Sequence, residues 1–270
     1  MLDLMYITNK PAVARIAQDA GVDRIFIDLE RIGKAERQGG MDTVQSLHSI
    51  DDIKNLKPLL NRSSLLVRSN PIYENSREEI NAIIESGADI VMLPFFKTVN
   101  EAAKFIDIVN GRAKVNLLVE TPGAVEKIDA ILELDGIDEI HIGLNDLHLA
   151  YGMKFMFELL SNGLVESLGK KILAKGIKFG FGGIARLGYG ELPAERIITE
   201  HYRLGSTCAI LSRSFCNTDR ISDEIEIRKI FEVGLKEIRG LERQIQEKIN
   251  FFSDNKAIVK RTVEKMALTK

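Results

Sequence analysis

Ile90-Val91-Met92-Leu93, the amphipathic run Val99 to Val109, and Val115-Asn116-Leu117-Leu118-Val119-Glu120 read in order as strand, helix, strand, and this unit decides the fold. Both apolar runs are short and nearly continuous, the pattern of strands buried on two faces, whereas the segment between them spaces its apolar residues at helical intervals. The unit recurs in both directions. Upstream lie Leu4 to Ile7, Arg24 to Asp28 and Leu65 to Arg68; downstream lie Glu139 to Gly143, Lys178 to Phe181 and Thr207 to Leu211. Helical patterns such as Pro11 to Ala20, Ser76 to Ser86 and Leu164 to Ala174 separate them, several closed by a glycine at Gly21, Gly87 or Gly176.

Eight strands in βα alternation predict a TIM-type (β/α)8 barrel with a C-terminal helical extension; an open doubly wound sheet is the competing arrangement. Gly180-Phe181-Gly182-Gly183-Ile184 follows a strand but lacks GxGxxG spacing, so no dinucleotide fingerprint supports the open sheet. Residues 1–220 read as the barrel and 221–270 as a helical arm, formed by an amphipathic region from Asp223 to Gln246 and a polar tail from Asn250 to Lys270. The arm either packs on its own barrel or docks on another subunit of a homo-oligomer.

The 270 residues are close to the ~250 that such a barrel needs as one domain. Lys plus Arg is 37 against 39 for Asp plus Glu, with no basic block, so neither nucleic acid nor an anionic membrane is an expected partner. Apolar runs fall far short of a membrane span and Met1-Leu2-Asp3-Leu4 lacks signal-peptide features, so a cytoplasmic location is expected. Cys208 and Cys216 lie in no CxxC pair and read as packing residues.

Catalytic groups of such barrels come from the carboxyl ends of strands. Those ends carry Asp28, Glu30, Arg68, Asn70, Glu120, Asn145, Asp146, Ser212 and Arg213. Glu120 and Asp146 stand just past neighbouring runs. Adjacent parallel strands would bring their ends within about 5 Å, close enough for one hard cation to take an oxygen from each. Taken singly, Asp146 would suit a helix cap. Arg68 either pairs with Asp28 or Glu30, since an unpaired buried cation is costly, or holds a substrate anion. His48 either swings over the barrel mouth as a proton-transfer group or is a loop residue beside the helix cap Ser49. Arg213, at the end of the eighth strand, is a further candidate for substrate contact. His141 and His148 read as packing or supporting residues, and His201 as lying on the outside of the barrel without a role.

These motifs resemble the HpcH/HpaI aldolase and citrate lyase beta-chain family of the phosphoenolpyruvate/pyruvate superfamily. Ile27-Asp28-Leu29-Glu30 is similar to its acidic second-strand motif, and Lys34-Ala35-Glu36-Arg37 to the basic segment of its citrate-lyase branch. Val67-Arg68-Ser69-Asn70, Gly87-Ala88-Asp89 through Leu93-Pro94, Glu120-Thr121-Pro122 and Gly143-Leu144-Asn145-Asp146-Leu147 resemble further motifs in the family's order. The resemblance implies that Glu120 and Asp146 bind Mg²⁺, Mn²⁺ or another divalent ion, with a 2-oxo acid such as pyruvate completing the shell. It makes Arg68 a catalytic and substrate-binding group, with Asn70, Gly143, Leu144 and Asn145 around the substrate; Lys34, Arg37 and Gln38 could meet its distal part. The second partner would be an aldehyde or an acyl-CoA. A catalytically silent barrel subunit is the third reading. One departure stands out: the aldolase branch carries His directly after the strand-two acid, whereas this chain has Arg31, so that base does not transfer.

Overall fold

The computed structural model describes residues 1–33, 47–246 and 251–269. Its strands are β1 (Asp3–Ile7), β2 (Arg24–Asp28), β3 (Ser64–Arg68), β4 (Ile90–Leu93), β5 (Lys114–Val119), β6 (Glu139–Ile142), β7 (Lys178–Ile184) and β8 (Cys208–Leu211). All pair in parallel in chain order, and β8 returns to β1. That closure makes the expected TIM-type barrel and excludes the open sheet.

Local chemistry sets the helix ends. Pro11 opens the helix Pro11–Ala20 in its first turn and Gly21 closes it in the left-handed region, at φ 101°. A reciprocal cap of Thr98 and Glu101 starts the helix Val99–Val109. Two local readings shift. Glu120 and Gly143 fall one residue past β5 and β6. The Gly-rich segment lies inside β7, where pairing with β8 slips between Gly180 and Gly183.

The pleat sorts side chains into two cores. Leu4, Ile25, Ile27, Leu65 and Val91 point outward into a cluster shared with the helices, and Met5, Phe26, Leu66, Met92 and Leu118 fill the barrel. At the N-terminal end of the interior the filling is polar. Arg24 donates to both oxygens of Glu139, at 2.5 and 2.8 Å, and to Asp3 at 2.8 Å. Burial would raise Glu139, but the Arg24 hydrogen bonds and charge outweigh it and hold the carboxyl below its ordinary range.

The helix Glu224–Gln246 packs on Pro11–Ala20, and the helix Phe251–Thr269 on Glu158–Ser161 and Ala194–Leu204. The stretch read as a polar tail is therefore helical over 251–269, with Asn255, Val259 and Val263 buried, and the arm lies on its own barrel. The Leu2 N–H donates to Glu242 at 2.6 Å, while Arg239 donates to the Leu2 carbonyl and to Asp23, both at 2.8 Å. His201 is not outward-facing: it is fully buried, stacked on Phe181 with centroids 3.8 Å apart. Both cysteines are buried and unpaired. Among the described residues no helix is long and apolar enough to cross a membrane.

Candidate active site

The C-terminal ends of the strands surround a cavity of about 540 Å³. Glu120 reaches it from just beyond β5, 3% exposed. Two devices fix its side chain. The Phe95 N–H donates to Oε1 at 3.0 Å, and Phe95 holds that N–H in place with a left-handed backbone at φ 49°. On the other side Gly143 leaves room, since a Cβ there would lie 2.7 Å from the Glu120 Cβ and 2.8 Å from Oε2.

Asp146 lines the same cavity from the first turn of the helix Leu144–Ala150, where the helix dipole favours a carboxylate. The cap of that helix is Gly143, so Asp146 is not the capping residue. Burial, first, then the charges of Asp146 and Glu30 push Glu120 up to about 8, against the opposing pull of Arg68. Two carboxylates are thus held together against their own repulsion.

Arg68 forks onto Asp28, Nε to Oδ1 at 2.9 Å and Nη2 to Oδ2 at 2.7 Å, with Glu30 3.5 Å away. Although burial disfavours its charge, Asp28 and Glu30 keep the guanidinium protonated. The ion pair weighed from sequence is therefore formed, yet Arg68 also lines the cavity, and Nη1 has no protein partner among the described residues. The ion pair thus does not remove Arg68 from the cavity wall.

Other sequence-based assignments fare differently. His48 does reach the cavity, but its Nδ1 accepts the Asp28 N–H at 3.0 Å and the ring is buried. In the neutral ring the proton then sits on Nε2, which makes His48 a donor and argues against the proposed base. Ser49 caps the following helix, Ile50–Leu56, with Asp52, as expected. Asn70 is absent from the cavity wall: Oδ1 accepts from the N–H groups of Arg31 and Ile32, at 2.8 and 3.0 Å, and Nδ2 donates to Glu79 at 2.9 Å. Its amide is consumed in bracing the loop after β2, which corrects its assignment to substrate. The Gly143 N–H is likewise taken, by the Val119 carbonyl at 3.0 Å, so Gly143 serves Glu120 by lacking a side chain. Leu144 and Asn145 line the cavity, as do Ser212 and, on its exposed rim, Arg213. His148 bonds back to carbonyls of its own helix. Lys34, Ala35, Glu36, Arg37 and Gln38 lie outside the described residues.

Phe95 is the contributor that sequence reading missed. Its place after Leu93-Pro94 marks a strand end, but nothing in the residue type announces a positive φ.

The family model for HpcH/HpaI aldolase/citrate lyase matches residues 4–158, more than half of the chain. The chain belongs to that family. The match runs from β1 to beyond the helix that carries Asp146, and it supports aldolase or lyase chemistry in general. Solved structures of HpcH/HpaI proteins share the fold. The HpcH/HpaI aldolase from Desulfitobacterium hafniense DCB-2 is 17% identical at a TM-score of 0.61, over 78% of this chain and 86% of that one. An HpcH/HpaI aldolase/citrate lyase family protein from Burkholderia cenocepacia J2315 is 14% identical at a TM-score of 0.63, over 84% and 94%. Citrate synthase SbnG is 15% identical at 0.58, over 77% and 84%. A search of curated proteins finds no match.

Proposed function

We propose that this HpcH/HpaI protein is a carbon–carbon lyase or aldolase whose substrate is a 2-oxo acid such as pyruvate and whose cofactor is a divalent ion, Mg²⁺ or Mn²⁺, held by Glu120 and Asp146. The observation that carries the reading is the carboxylate pair itself, facing one cavity beside Arg68, with Glu120 raised to about 8 by burial and by its neighbour. A cation relieves that repulsion. Among the described residues no cluster of three or more His, Cys, Asp or Glu could cage a metal. Two carboxylates are enough for an ion that must keep positions open for water and a chelating substrate. The ion, when bound, would supply Lewis-acid polarisation of the keto group.

The chain's own residues do the rest. Arg68, its plane fixed by Asp28, offers Nη1 to the oxygen on which negative charge develops as the carbon–carbon bond breaks. Phe26, Met92, Leu118 and Ile210 line the same cavity with apolar surface and keep that charge away from bulk water. The proton on Nε2 makes His48 a hydrogen-bond donor at the wall. Arg213 at the rim meets the distal part of the second substrate, a polar aldehyde. An acyl-CoA is the second reading, favoured by the resemblance of Asp28-Leu29-Glu30 together with Lys34-Ala35-Glu36-Arg37 to the citrate-lyase branch.

Exchange of pyruvate methyl protons in D2O, followed by NMR with Mg²⁺ or Mn²⁺ and without CoA, tests the proposal. Exchange that stops with a chelator and in Glu120→Gln is expected. No exchange of the free acid, with turnover of a CoA thioester, would select the second reading; metal-independent inertness toward both would leave a silent barrel.

A further inference from the structure

His141 sits in the barrel interior at a place the proposed chemistry has not used. It is 1% exposed and its ring lines the cavity. The register explains how a buried ring reaches that floor. Leu118, His141, Gly180 and Cys208 form one row across β5 to β8. In the next row toward the mouth stand Glu120, Gly143 and Gly182, so the residues above the imidazole past β6 and on β7 bring no side chain of their own, and Glu120 and Leu144 border the space they leave. Gly180 beside it is equally required, because a Cβ there would lie 2.9 Å from the His141 Nδ1.

Inside this space Nδ1 faces the Cys208 sulfur at 3.9 Å, while Nε2 has no hydrogen-bond partner. Burial outweighs the pull of the Gly182 backbone and holds the ring down at about 4, so the imidazole is neutral. Cys208, pushed up to about 12 by burial, keeps its thiol proton and can donate it to Nδ1. In the tautomer that this contact favours, the ring's own proton is on Nε2. A buried N–H with no acceptor in hydrogen-bonding geometry is unfavourable, and such groups in native proteins call for a ligand or water.

Building on the 2-oxo-acid reading, we propose that His141 is a substrate-contacting residue whose Nε2–H donates to an oxygen of the acid bound on the cavity floor. A neutral donor suits that place. It stabilises an oxygen as charge accumulates there, without adding a second full cation beside Arg68.

NMR of protein labelled with ¹⁵N at histidine tests this, using oxalate with Mg²⁺ as the unreactive probe and the His141→Gln spectrum to assign the resonances. A protonated Nε2 that shifts on oxalate binding is expected. His141→Leu should weaken oxalate about tenfold, the usual worth of one hydrogen bond, and His141→Gln, which keeps an N–H, should recover most of it. An unprotonated Nε2, a resonance unmoved at saturating oxalate, or wild-type affinity in a folded His141→Leu protein would overturn the inference alone. So would a complex in which a water shared with the unpartnered Asn116 Oδ1 takes the Nε2 proton. Failure of the wild type to bind oxalate at all would instead remove the 2-oxo-acid reading, and this inference with it. Should His141→Leu not fold, the wild-type spectrum decides.

Discussion

In the proposed function Glu120 exchanges a proton for a cation, since burial and the charges of Asp146 and Glu30 push its carboxyl up to about 8. An ion that binds there must displace the proton. Affinity for Mg²⁺ or Mn²⁺ should therefore climb about tenfold per pH unit below pH ~8 and level off above it, as calorimetric titration can show. The sign for the metal-free fold is opposite. A carboxyl whose folded value lies above its unfolded one loses stability as pH rises from the unfolded value to the folded one, so thermal stability should fall toward pH ~8 and recover with metal. Glu120→Gln should abolish metal-dependent methyl exchange while matching or exceeding wild-type melting temperature, because it removes a buried charge. Arg68→Lys should lower exchange at least tenfold, as a point charge cannot replace the fork on Asp28. Glu120 and Asp146 are legible in the sequence because an acid just past an apolar run falls at the strand end or in the first turn of the helix that follows it. Asn70 shows where that logic stops. Its position after β3 is visible, but its commitment to Arg31, Ile32 and Glu79 depends on loops that no local pattern describes.

Elements carry the site through their ends. The turn after β4 places one N–H on Glu120 by keeping Phe95 in the left-handed region, at a cost of about 1–2 kcal/mol for a residue with a Cβ. The turn after β6 contributes by omission, at Gly143. Gly143→Ala would set a methyl 2.7 Å from the Glu120 Cβ and force the carboxylate aside. A loss of about a hundredfold in kcat with a folded protein is the expected result, readable from exchange rates and circular dichroism. Helices were more legible than these turns: Pro11–Ala20, Val99–Val109 and Leu164–Ala174 follow from apolar spacing and flanking caps. Turn conformations arise from tertiary fit, so a φ of 49° at Phe95 has no counterpart in residue type.

Across the whole molecule the two ends of the barrel have separate duties. The mouth gathers Arg68, Glu120 and Asp146, while the opposite end is tied by Arg24 and Glu139. Arg24→Met leaves Glu139 buried without its partner and should cost about 3–5 kcal/mol in denaturant unfolding, with methyl exchange in the folded fraction unchanged. Because Glu139 is held below its ordinary range, this pair stabilises the protein above the unfolded carboxylate value and loses its contribution as pH falls through the lower folded value. The barrel could be foreseen from eight repeated units. The seating of the last helices could not, since an amphipathic face does not name the surface it will meet.

The clasp of Leu2 and Asp23 by Arg239 and Glu242 sets an order on synthesis. Strand β1 is secured by a helix that lies far later in the chain, and its closing neighbour β8 is also distant. Until that later stretch is made, the β8-facing edge of β1 is an unpaired template for stray β-pairing, so partly synthesised chains should need a holding chaperone.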